Sequence, residues 1–172
     1  MEVEPGDILI FKRNPKDLAS RILSWLLKRF ERDWDRWGWH TGHISAVLSH
    51  GTIVTAEATG DGVQAITYPS LESLGEVRVY RWLDEPNLDD LKTFTEEHLG
   101  RDYDVACYFW TSLQYLILHL FNHPMPRILD DKYTCWELVC AMARAMGKPL
   151  QPIHKYPLIT DMVKVLETSR IV

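Results

Sequence analysis

The sequence predicts a single α+β domain, and three observations carry that prediction. Short apolar or alternating runs bounded by glycine, proline and polar turns have the length and period of strands: GDILIF (6–11), GHISAVLSHGTIVTAEA (42–58) and VRVYRW (77–82). Longer segments carry apolar residues at helical spacing, most clearly 17–32, 86–100 and 158–167. The stretch TCWELVCAMARAMGKP (134–149) has both a helix start signal and a stop signal. At 172 residues the chain suits one domain with a sizeable core.

The elements follow in order. GDILIF comes after Pro5-Gly6 and reads as a buried strand, broken by Asn14-Pro15. In 17–32, Leu18, Ile22, Leu26 and Phe30 mark one helical face, and Arg21, Lys28, Arg29 and Arg32 lie off it. That pattern is a core-facing helix with a solvated basic side; a basic amphipathic helix resting on a membrane surface is the rarer use of it. DWDRWGWHTG (33–42) is an aromatic-rich loop. Residues 42–58 are two strands around a turn, and 77–82 is a further strand. PNLDDLKTFTEEHLG (86–100) is a helix with Gly100 as its stop. VACYFWTSLQYLILHLF (105–121) is strongly apolar, but Thr111, Ser112, Gln114 and His119 interrupt it. It falls short of a membrane span and reads as a buried or partner-facing helix.

Composition removes several function classes. A net charge of −5 gives no basic field for nucleic acid. Three cysteines, with no CxxC pair, exclude a disulfide framework and a zinc or redox motif of that kind. The start, MEVEPGDILIFKRN, is acidic and its apolar run is short, so no secretory signal is expected. The expected setting is cytoplasmic, or delivery as part of a larger particle. His40, His43 and His50, with Asp33 and Asp35 upstream, match no metal-ligand spacing, and no cofactor is expected.

Cys135 is the candidate for chemistry. Thr134-x-x-Glu137 fits a capping box, which makes Cys135 the first residue of a helix over 135–146. Arg144 in the last turn, Gly147 and Pro149 end it. Unpaired N–H groups and the positive helix end favour a thiolate there, the reactive form of cysteine. The same groups suit an oxyanion. The bland alternative is a small apolar side chain packed under the cap.

A nucleophile needs a base and an orienting group. In strand alternation His43, Ser45 and Val47 share one face, and Ile44, Ala46 and Leu48 the other. A two-residue His50-Gly51 turn would set His43 against Ala58. A three-residue turn, Ser49-His50-Gly51, pairs Leu48 with Thr52 and sets His43 opposite Glu57, with Gly51 in the left-handed position. The three-residue register is expected. It brings the two Cβ atoms to ~5 Å, within reach of a carboxylate–imidazole bond.

Taken together, GDILIF, GHISAVL, VTAEATGDGV, VRVYR, LGRDYD and TCWELVCAMARAMGKPL resemble, in this order, the circularly permuted NlpC-type cysteine hydrolases of the YiiX/YebB-like group. The resemblance runs from about residue 5 to 165. It implies a papain-like fold, an antiparallel sheet with helices packed on it and the cysteine helix late in the chain. It implies Cys135 as nucleophile, His43 as general base and Glu57 as orienting residue. Tyr103, in GRDYD, would line the site. Trp136, where serine is common, would narrow or reshape the pocket. Residue 42 is glycine where serine is common. The loop 33–40 and the apolar stretch 105–129 look like elaborations of the family pattern.

The implied activity is that of a peptidase or amidase acting through an acyl-enzyme, with cell-wall peptides as one substrate class. Two alternatives share the same residues. One is an interaction component of a larger assembly, docking a protein partner through 105–121. The other is a lipid-acting acyltransferase or phospholipase, with acyl chains at that surface.

Overall fold

The computed structural model describes residues 3–12, 41–57, 62–70, 73, 76–104, 113, 117, 132–148, 150 and 166, the side chains of 12, 41, 42 and 57 excepted. The expected helix at 17–32, the loop 33–40, the expected helix at 158–167 apart from Leu166, and nearly all of the apolar stretch 105–129 lie outside these residues.

Five strands form one sheet: β1 (Ile8–Lys12), β2 (Thr41–Ser49), β3 (Thr52–Glu57), β4 (Gly62–Thr67) and β5 (Val77–Tyr80). Their order is β4-β3-β2-β1-β5, and every neighbouring pair is antiparallel. Two helices accompany it, α1 (Leu88–His98) and α2 (Cys135–Ala145). The architecture is therefore α+β, as expected. Among the described residues no helix is long and apolar enough to cross a membrane.

The continuous apolar run of β1 is explained by its place next to the sheet centre. Ile8, Leu9 and Ile10 are all fully buried, and alternate members serve opposite faces. One face carries Ile8, Ile10, Ile44, Ala46, Val54, Ala56 and Val63, and both helices pack on it through Leu91, Cys135, Leu138, Val139 and Met142. The other carries Leu9, Val47, Ile53 and Tyr68, with Phe11 beside them.

The β2–β3 hairpin has its own solution to register. Ser49 pairs with Thr52 around His50-Gly51, and a bulge then omits Leu48, so that Val47 pairs with Ile53 and Ala46 with Val54. The turn is thus a residue shorter than expected, while the bulge restores the expected register. Continued toward the start of β2, that register sets position 43 opposite position 57.

β4 was not anticipated. GVQAIT is short, and only its outer half alternates in burial, which hides an edge strand from pattern reading. Beside it, Gly62 has φ +73°, and a Cβ there would lie 2.0 Å from the Arg101 carbonyl oxygen. Only glycine allows that approach. The contact is held by Val63 N–H to Arg101 O and Gly100 N–H to Val63 O, both 2.8 Å. These bonds pin the end of α1 to the start of β4.

Both helices are capped as their sequences suggest. Asn87 accepts from the Asp90 N–H at the start of α1. At α2, Glu137 accepts from the Thr134 backbone N–H at 3.1 Å and from the Thr134 hydroxyl at 2.8 Å. The helix stops in paired bonds, Lys148 N–H to Ala143 O (2.8 Å) and Gly147 N–H to Arg144 O (3.0 Å), the Schellman arrangement. At the far edge, buried Asp7 takes two bonds from Arg81, at 3.0 and 2.8 Å, which ties the end of β5 to the start of β1.

Candidate active site

The start of α2 lies under β2. Cys135 is only 4% exposed. The backbone N–H groups of Ile44, Trp136 and Cys135 and the Tyr103 hydroxyl act on its sulfur in favour of the charged form. Each of these groups favours the thiolate, but removal from water favours the neutral thiol by more. The Cys135 pKa is pushed up to about 11. The lowered pKa expected from the helix end is thereby corrected: the dipole and its N–H groups act, and burial outweighs them.

Tyr103 lies beside the Cys135 sulfur. It forms a parallel bridge with Tyr133, two residues before the cysteine, and its hydroxyl reaches the sulfur. Trp136 is 5% exposed and packs in the core between helix and sheet.

His43 is the main departure. Its Nε2 bonds the Thr55 hydroxyl, and its ring lies 5.7 Å from that of Phe11. Phe11, Val47 and Ile53 belong to the face turned away from α2, whereas Ile44, Ala46 and Cys135 share the other. The sheet therefore separates the His43 imidazole from the thiol. The reason is hydrophobic. The Ile44–Ala46–Val54–Ala56 side is wholly apolar, and the apolar stripe of α2 packs there. The opposite side carries His43, Ser45 and Thr55, and the buried Ser45 hydroxyl has no hydrogen-bond partner among the described residues. The pairing of Val47 with Ile53 and Ala46 with Val54 follows the expected register, the Glu57 side chain lies outside the described residues, and the meeting of His43 with Cys135 does not occur. Burial lowers the His43 pKa from 6.5 to about 4, so its ring is neutral at physiological pH.

A second imidazole was overlooked in the sequence. His98, in the last turn of α1, stacks on Phe94 with centroids 3.9 Å apart and meets the edge of Tyr133 at 5.5 Å. The Phe94/His98 spacing of four was the available signal. Among the described residues no group of three or more His, Cys, Asp or Glu could hold a metal ion.

The chain matches no protein-family model and no curated protein. The functional reading therefore rests on the site itself and on the sequence pattern.

Proposed function

We propose that the protein is a thiol-dependent hydrolase of the peptidase or amidase type, with Cys135 as nucleophile in a papain-like fold of the permuted NlpC kind. The observation that carries this reading is the position of the sulfur at a helix start, with backbone N–H groups and the Tyr103 hydroxyl acting on it in favour of the thiolate. They stabilise negative charge as it forms on sulfur, and the N–H groups around it suit the oxyanion of an attacked carbonyl.

The sulfur attacks an amide, ester or thioester carbonyl, and the carbonyl electron pair moves to oxygen. Collapse expels the leaving group with a proton, and water or another acceptor releases the acyl group from Cys135. With a thiol pKa of about 11, the resting site is protonated, so a base must act once substrate is bound. Peptide-linked substrates, cell-wall peptides among them, fit the sequence resemblance. The test is hydrolysis of a panel of peptide amides and small activated esters. Cys135→Ala is expected to abolish turnover while moving the thermal midpoint by no more than a few degrees. Equal turnover in that variant would remove the nucleophile from the proposal.

One observation favours a second reading, an interaction module built on the same fold. Cys135 is nearly inaccessible, and none of its bonds comes from an imidazole among the described residues. This reading predicts no turnover at all, and binding that survives Cys135→Ala.

A further inference from the structure

We propose that the corner between the turn 4–7 and the loop 81–88 binds a partner protein through a basic segment of that partner, one with an apolar residue beside its cation. The inference stands apart from the thiol-hydrolase reading, because the corner lies at the other end of α2 from Cys135. The Asn87 N–H bonds the carbonyl of Met146, the residue that caps α2. A helix of 11 residues, at ~1.5 Å each, puts roughly 16 Å between that cap and the thiol.

The two segments enclose a cavity of about 350 Å³, the size of a small ligand site. Contacts within its own walls set its shape. The Trp82 indole N–H donates to the Gly6 carbonyl at 2.9 Å. Gly6 has φ +88° and lies so near Pro86 that a Cβ would come to 2.7 Å from the ring. Arg81 joins the two walls through Glu4 and Asp7, at 2.7 and 2.8 Å. A cleft preformed in this way has less ordering to do when it binds.

The lining decides the chemistry. Glu4, Asp7, Asp84 and Glu85 bring four carboxylates to it. The Arg81 guanidinium is engaged by two of them, and Lys148 stands 3.5 Å from Asp84. Carboxylates outnumber cations, so the field at the mouth is negative and draws a positive group. Apolar surface lies beside these charges. Leu83 is 67% exposed and Leu88 38%, and neither belongs to a core cluster. A bare cation would meet the carboxylates and leave the leucines in water. A lysine or arginine flanked by an apolar residue meets both: its charge lies against Asp84 and Glu85, and its neighbour covers Leu83. Nucleic acid and anionic lipid are repelled by the same field.

The test is fluorescence anisotropy of the full chain with a labelled peptide in which leucine and arginine alternate. Binding is expected, and it should weaken as salt screens the carboxylates. Asp84→Asn combined with Glu85→Gln is expected to weaken it ~10-fold. Leu83→Ser is expected to weaken it by a similar factor, through lost apolar burial. These side chains are exposed, and the Asp84–Lys148 pair with them, so the thermal midpoint should stay in place. A peptide with glutamate in place of arginine is expected not to bind. Equal binding of that acidic peptide overturns the proposal, as does affinity left unchanged by the carboxylate variant. Affinity left unchanged by Leu83→Ser also overturns it, reducing the corner to a patch that attracts any cation. So does the absence of binding up to about 1 mM peptide.

Discussion

At Cys135 and His43 the same force acts with opposite sign. Burial withholds charge from both, raising the thiol to about 11 and lowering the imidazole to about 4. The consequences for stability are separable. The folded thiol holds its proton more tightly than the unfolded chain, so its contribution is complete below about 9 and is lost as pH rises toward about 11. The folded imidazole binds its proton less tightly, so its contribution is complete above 6.5 and is lost as pH falls toward about 4. Each tenfold change in proton affinity between the folded and unfolded chain corresponds to roughly 1.4 kcal/mol. Chemical denaturation across pH is expected to show both losses. Cys135→Ala should flatten the alkaline limb and His43→Asn the acid limb; limbs of unchanged slope would show that neither group is buried as described. The sequence placed Cys135 at a helix start correctly, because Thr134 and Glu137 are local signals. The direction in which its pKa moves was not legible there, since desolvation depends on residues such as Ile44 and Tyr103 that are distant in sequence.

The elements of the fold differ in how openly the sequence states them. The stop of α2 needed a left-handed residue just beyond the helix, and Gly147 supplies it at φ +74°. The hairpin register followed from alternation and from Gly51, although a two-residue turn with a bulge at Leu48 produces it. β4 escaped notice because an edge strand buries little and needs little pattern. Its dependence on Gly62 is a contact between elements, invisible in GDGV. Gly62→Ala is expected to strain both the backbone and the Arg101 carbonyl, at a cost of roughly 2–4 kcal/mol. A thermal midpoint unchanged by that substitution would contradict the close approach of β4 to the loop after α1.

For the whole molecule, the decisive fact is which face of the sheet the helices cover. Alternation in GHISAVL separated His43 from Ile44, yet it did not say which set would meet Cys135. The packing resolves it by apolar content: Ile44, Ala46, Val54 and Ala56 receive α2, and His43, Ser45 and Thr55 are left on the far side. The sheet is also tied across its far edge by Arg81 on Asp7 and Glu4, with Asp7 only 2% exposed. Arg81→Ala would leave that buried carboxylate with the Glu4 backbone N–H but without its cation, at an expected cost of about 3 kcal/mol, visible as a lower denaturation midpoint. A loss of less than about 0.5 kcal/mol would reduce the cluster to a surface pair.

The central claim is that the sulfur at the start of α2 reacts covalently, and it is tested most directly by intact-mass analysis after rapid acid quench of the protein with an activated ester, followed by peptide mapping. The account predicts one acyl group per chain, carried on Cys135, with Cys140 unmodified and no adduct in Cys135→Ala. An unmodified Cys135, or acylation shared equally with Cys140, would contradict it.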